Sequence, residues 1–169
     1  MITPDALQNY YLLDSPLGQI GIADNGQFIT GVSFADGKTS LQNTTQNPSP
    51  LAQMVVQQLS AYFEGKLEAF NLPIRQAGTP FQLQVWNLLQ QIPFGTTWSY
   101  MQLSRKLGNE KAIRAVGTAN GKNNVVIIVP CHRVIGTNGQ LVGFSGGLWR
   151  KQWLLEHEAR WKHGMQTLF

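Results

Sequence analysis

The sequence predicts an α+β protein of two lobes: a small N-terminal sheet-plus-helix lobe, then a mainly helical lobe with a helix-turn-helix and a wing-like hairpin. Three observations predict it. Short extended runs broken by turn residues fill the stretch from Tyr10 to Phe34, apolar residues recur at helical spacing from Leu51 onward, and a Pro- and Gly-containing segment separates the two regions. With 169 residues, 43% apolar and 13% charged, the chain is large enough to bury a core. The charged share is roughly half the usual 25% or so, which excludes a disordered or linker protein.

In the first lobe, Tyr10 to Leu13, Gln19 to Ala23 and Phe28 to Phe34 read as strands joined through Asp14-Ser15-Pro16-Leu17-Gly18 and Asp24-Asn25-Gly26. Asn25-Gly26 reads as a two-residue hairpin turn, because both residues tolerate positive φ. Asp36 to Pro50, rich in Gln, Asn, Ser and Thr with Leu41 as its apolar residue, reads as a surface loop. Leu51, Val55, Leu59, Tyr62 and Phe63 then describe a helix that stops at Gly65. Asn71 to Gly78 reads as the linker, which places the lobes at residues 1–77 and 78–169.

The second lobe opens on Thr79-Pro80, an N-cap residue followed by proline at the first helical position. Phe81, Val85, Leu88, Leu89 and Ile92 share one face before Pro93-Phe94-Gly95 breaks the pattern. Ser99-Tyr100-Met101-Gln102 is a capping box, and the short helix it starts ends at Gly108. Asn109 caps the next helix, Glu110 to Ala119, completing the helix-turn-helix signature. On that second helix Ala112, Ala115, Gly117, Thr118 and Ala119 are small, leaving Arg114 as the long side chain of a low-relief surface. Small residues let two helices pack; equally, they let a helix approach a partner closely, through backbone or minor-groove contact rather than major-groove readout.

Val125 to Val129 is continuously apolar and β-branched and reads as a buried strand or extended segment leading to Pro130-Cys131-His132-Arg133. Val134-Ile135 and Gln140-Leu141-Val142 around Gly136-Thr137-Asn138-Gly139 read as a hairpin wing, and Ser145-Gly146-Gly147 as a mobile loop. A last helix runs from Leu148 to about Trp161.

Thirteen Lys plus Arg against nine Asp plus Glu give a net charge of +4, a mild bias toward a polyanion such as nucleic acid. One cysteine excludes an intrachain disulfide, and with only three histidines beside it the count argues against a structural zinc site, which usually needs four Cys or His ligands. No run approaches the ~20 apolar residues of a membrane span and no leader is visible near the start, so a cytoplasmic location without membrane contact is expected.

The chemistry-bearing residue is Cys131. An adjacent imidazole, His132, and a cation, Arg133, favour the reactive thiolate form. Neighbours on an extended strand point to opposite faces, so a Cys131–His132 link needs either a turn at the motif or a bridging water. A carboxylate should orient His132, and Glu158 on the last helix is the candidate.

Pro130-Cys131-His132-Arg133-Val134 resembles the active-site motif of the O6-alkylguanine-DNA alkyltransferases, also called methylated-DNA–protein-cysteine methyltransferases. Thr79-Pro80-Phe81-Gln82, Ser99-Tyr100, Arg114-Ala115-Val116-Gly117, Asn120-Gly121 through Asn123, Ile135-Gly136, Ser145-Gly146-Gly147 and Leu154-Leu155-Glu156-His157-Glu158 are similar to further family motifs. The likeness covers about Gly78 to Glu158, and it implies a ribonuclease-H-like first lobe and a winged-helix-like second lobe. It implies a single-turnover, irreversible transfer of a methyl or larger alkyl group from O6 of guanine in double-stranded DNA to Cys131, with O4 of thymine left open as a second target. No cofactor, no metal and no obligate protein partner are implied, and the protein would act as a monomer.

By the same resemblance His132 takes the thiol proton through a water while Glu158 holds the imidazole. Tyr100 hydrogen-bonds the flipped base, and Asn123 braces the site. Val134, Phe144, Ser145 and Gly146 line the substrate pocket. Arg114 fills the gap left by the everted nucleotide, and Ala115 and Gly117 let their helix lie close to the DNA. Phe144 stands where many family members carry tyrosine, so a hydroxyl contact is missing there. Two other classes fit parts of the pattern: a non-catalytic helix-turn-helix binder of alkyl damage, which would lack the cysteine, and a Cys-His thiol hydrolase, which would turn over repeatedly.

Overall fold

The computed structural model describes residues 8–37 and 47–164. Two compact units divide the chain, Met1–Gln76 and Ala77–Phe169.

In the first unit, β1 (Asn9–Ser15), β2 (Gly18–Asp24) and β3 (Ile29–Phe34) form an antiparallel sheet in sequence order. Pro16 and Leu17 make the tight turn between β1 and β2, where Ser15 pairs with Gly18. The second connection is longer than the expected two residues. Asp24 pairs with Ile29 beside a register shift, and the Asn25 carboxamide accepts the amides of Gln27 (3.0 Å) and Phe28 (2.8 Å), so a side-chain-stabilised loop replaces the hairpin turn.

Helix α1 (Pro50–Phe63) starts at Ser49, whose hydroxyl caps the Ala52 amide and donates to buried Asp24 at 2.5 Å. Val55, Leu59 and Tyr62 of α1 are buried with Ile20, Ile22, Ile29 and Val32 of the sheet, and together they form this unit's core. The segment read as a linker is partly structured. Ile29 donates to Pro73 and Arg75 donates to Ile29, so residues 73–75 form a parallel bridge along β3. Most of the polar loop, Leu41 included, lies outside the described residues.

The second unit holds α2 (Pro80–Leu89), β4 (Trp98–Ser99), α3 (Tyr100–Leu107), α4 (Ile113–Gly121), β5 (Val134–Ile135) and α5 (Leu148–His163). The expected capping box of Ser99 with Gln102 is present, and Thr79, read as an N-cap, forms a second one with Gln82. Gly108 ends α3 at φ +91°, a left-handed conformation that costs glycine little. Asn109 then caps a 3₁₀ turn over Glu110–Ala112 that leads into α4, so this helix starts later than its periodicity predicts. Buried Trp86 of α2, whose role the apolar pattern did not reveal, donates its indole N–H to Ala119 and anchors the end of α4.

Two expectations fail. Val125–Val129 is buried but not a strand: it coils as a turn with Ile127 at φ +70°, because the Asn123 side chain bonds the backbone at Val125 and Val129 and closes the loop. The wing is not a hairpin either. Val134–Ile135 pairs in parallel with Trp98–Ser99, and one Gly136-to-Gln140 hydrogen bond is the ladder contact between the two arms. No helix among the described residues is long and apolar enough to cross a membrane.

Candidate active site

Cys131 begins a 3₁₀ turn, Cys131–Arg133, closed by the Arg133 amide on Pro130. With three residues per turn, adjacent side chains diverge by about 120° rather than the 180° of a strand. Cys131 and His132 are both buried.

The His132 Nε2 lies 2.7 Å from Glu158 Oε2. A carboxylate can only accept, so Nε2 carries the hydrogen and Nδ1 keeps its lone pair. That Nδ1 is buried and has no hydrogen-bond partner among the described residues, so the thiol does not bond the imidazole directly. Arg133 clamps the same carboxylate from Nε (2.8 Å) and Nη2 (3.0 Å) while Nη1 donates to the Ile92 carbonyl at 2.6 Å. The Gly95 amide adds a donor at 3.2 Å. Burial pushes the Glu158 carboxyl up, but His132 and Arg133 outweigh it and hold it well below the usual carboxylate range. Burial lowers the His132 pKa, against the pull of Glu158, and so favours the neutral imidazole that can take a proton.

Arg133 is therefore not the cation of the thiol. That place belongs to Lys151, which sequence reasoning missed. It is fully buried, donates to the Val142 carbonyl at 2.7 Å and lowers the Cys131 pKa electrostatically. Burial raises the thiol first, with a hydrogen bond from Asn123 and the Lys151 charge opposing it. Lys151 itself is pushed down to about 8 by burial, with Cys131 pulling the other way. Lys151, Leu154, Leu155 and Glu158 are all buried at i, i+3, i+4 and i+7 on α5, so the lysine shares the helix face that carries the glutamate.

Tyr100, at the start of α3, is half-buried and donates its hydroxyl to the Val142 carbonyl at 3.2 Å. Burial raises its pKa, Asn120 lowers it by a side-chain hydrogen bond, and Cys131 raises it again. With Ile113, Arg114, Gly117 and Thr137, Tyr100 lines an open cleft of about 330 Å³. A Cβ on Gly117 would lie 3.7 Å from the Tyr100 ring, an ordinary van der Waals contact, so α4 runs alongside the phenol. Arg114 and Ala115 are exposed on α4.

Val134 is buried in β5, whereas Phe144 is half-buried, Ser145 exposed and Gly146 buried in the following loop. That loop is tied rather than loose. The Gly147 amide donates to Phe144, and Arg150 donates to the Gly146 carbonyl at 3.0 Å.

The sequence of this second unit fits a known pattern. A family model described as the DNA binding domain of 6-O-methylguanine DNA methyltransferase matches residues 80–160, and one described as its ribonuclease-like domain matches residues 9–76. The chain belongs to the 6-O-methylguanine DNA methyltransferase family. It is 43% identical over 162 residues to the methylated-DNA–protein-cysteine methyltransferase of Mycolicibacterium paratuberculosis, covering 95% of this chain and 98% of that one. The constitutive methyltransferase of Bacillus subtilis is 43% identical over 144 residues, covering 82% and 87%. Among solved structures, Mycobacterium tuberculosis OGT in complex with DNA is similar at a TM-score of 0.82 and 42% identity, over 90% of this chain and 94% of that chain. As in other 6-O-methylguanine DNA methyltransferases, then, the fold is a small sheet lobe and a helical lobe.

Proposed function

We propose that this chain is a DNA repair alkyltransferase that moves a methyl or larger alkyl group from O6 of guanine in double-stranded DNA onto Cys131, once per molecule. The observation that carries the reading is the sole cysteine placed one residue from an imidazole whose Nε2 is bound to Glu158 and whose Nδ1 keeps a free lone pair. Relatives named methylated-DNA–protein-cysteine methyltransferase at about 40% identity support it.

The thiol proton leaves through a water to His132 Nδ1, with Glu158 steadying the imidazolium that results. The thiolate attacks the alkyl carbon in line; the S–C bond forms, the C–O6 bond breaks, and its electron pair passes to the guanine. The departing purine takes up a proton, with Tyr100 as donor. Asn123 holds the Val125–Val129 turn and the thiol in place. A thioether resists hydrolysis, so the protein is consumed.

O6 of a paired guanine is stacked, so the nucleotide must rotate out at a cost of a few kcal/mol. Arg114 fills the vacated stack, and Ala115 and Gly117 let α4 approach the minor groove. Residues 78–169 thus carry DNA binding and transfer, and residues 1–77 form the ribonuclease-H-like lobe. The base edge meets Val134 and the Ser145–Gly146 loop, with Phe144 as an apolar wall without a hydroxyl. The protein acts in the cytoplasm, as a monomer, without cofactor or protein partner. Duplex carrying a labelled methyl at O6 tests this: at most one label per chain is expected to reach the protein. Repeated turnover points to a thiol hydrolase instead, and DNA binding without label transfer points to a damage-binding protein.

A further inference from the structure

The loop that leads into α5 has few side chains of its own to fix it. Gly146 and Gly147 carry none, and Gly147 stands at φ +91°, a backbone setting that glycine adopts at little cost. Two residues in the first turn of α5 supply what the glycines lack. Arg150 is 6% exposed; its Nη1 reaches back to the Gly146 carbonyl at 3.0 Å, and its amide donates to the Gly147 carbonyl at 3.2 Å. Trp149, 56% exposed, lies outside it. A Cβ on Gly147 would lie 3.2 Å from the indole Cδ1 and 3.4 Å from Nε1, so the ring rests against the bare glycine. The Arg150 guanidinium carbon is 4.8 Å from the centroid of the same ring.

The order outward is therefore loop carbonyl, guanidinium, indole. An indole with more than half its surface in water gains little from burial, so what it does there is to cover its two neighbours. Water competes for an exposed hydrogen bond, and a ring over the guanidinium keeps it from the Arg150–Gly146 contact. Phe144 is fastened from the same side, its carbonyl accepting the Gly147 amide at 3.0 Å. Phe144, Ser145 and Gly146 are the residues that the alkyltransferase reading sets against the flipped base and its alkyl group.

We propose that Trp149 and Arg150 form a clamp on residues 144–147 that limits the size of the alkyl group delivered to Cys131. They are positioning residues: they hold the pocket wall in a narrow setting, in which methyl is favoured over bulky groups. The inference rests on the alkyltransferase reading above and deepens it to the choice of substrate.

The test is single-turnover transfer to the full chain from two duplexes of one sequence, carrying labelled O6-methylguanine or labelled O6-benzylguanine. The readout is the ratio of the benzyl to the methyl rate constant at saturating DNA. A loss of folded protein lowers both alike and leaves the ratio where it was. Trp149→Ala is expected to raise the ratio about fivefold or more, and Trp149→Phe, which keeps a ring over the guanidinium, less than about twofold. Arg150→Met keeps the length and loses the donor, so it should raise the ratio as Trp149→Ala does. Joining the two should add less than about a further twofold, because one clamp opens once. An unchanged or lowered ratio in Trp149→Ala or Arg150→Met, no benzyl transfer by either variant, or effects that multiply in full would overturn the proposal. Failure of the unmodified protein to take up the methyl label would instead overturn the alkyltransferase reading.

Discussion

Cys131→Ala is expected to bind O6-methylguanine duplex with near-normal affinity and to accept no methyl at all. The chain has one cysteine, so no second sulfur can substitute for it. The side chain is buried, 4% exposed, and the change removes one small atom from a packed turn, so the cost in stability should be modest, about 1 kcal/mol or less. Binding by gel shift, with label transfer on the same sample, separates the two effects. Residual labelling of the alanine variant would move the acceptor elsewhere and remove the basis of the mechanism.

The largest combined effect is expected from Glu158→Gln. The carboxylate is 1% exposed and answers the His132 imidazole and the Arg133 guanidinium as well as the Gly95 amide. Neutralising it leaves the arginine charge buried without a counter-ion, a loss of about 3–5 kcal/mol for a broken buried pair. The glutamine amide can also donate to Nε2, which would move the imidazole hydrogen to Nδ1 and remove the base. Transfer should then slow by about 100-fold or more in the fraction that remains folded.

The pH dependence has a definite sign. The native Glu158 pKa lies below its unfolded value, so its stabilisation is complete above about pH 4.3 and is lost as pH falls below that. The native His132 pKa also lies below its unfolded value; the unfolded chain takes up that proton from about pH 6.5 downward while the native state resists it. Wild-type stability should thus decline as pH falls, first below about 6.5 through His132 and then below about 4.3 through Glu158, and Glu158→Gln should lose the second decline. Denaturant titrations at several pH values would measure both. Equal stability of the two proteins at pH 7 would contradict the buried-pair account.

The three N-terminal strands, α1 and the Ser99–Gln102 capping box were legible because their signals are local: alternation, a turn glycine, a hydroxyl three residues before a glutamine. Val125–Val129 was not, since an unbroken apolar run reports burial without its geometry, and a side chain upstream, Asn123, decides that it coils. The pairing of β5 was hidden for a different reason. Its partner β4 is remote in sequence and parallel, and no turn connects the two.

At the site, the sequence pointed to Cys131, His132 and Glu158 but put the charge of Arg133 beside the thiol. The fold turns that guanidinium to Glu158 and Ile92 and brings Lys151 toward the sulfur instead. A lysine reads as exposed by default, so its burial emerges only once the helix face shared with Glu158 is known.

The account stands on Cys131 as a consumable acceptor for a carbon taken from an everted guanine. Intact-mass measurement after exposure to O6-methylguanine duplex, followed by peptide mapping, addresses it directly. One added methylene unit per chain, located on Cys131 and absent after exposure to undamaged duplex, is the predicted result. An unchanged mass with the DNA still methylated, or the added carbon on another residue, would contradict it.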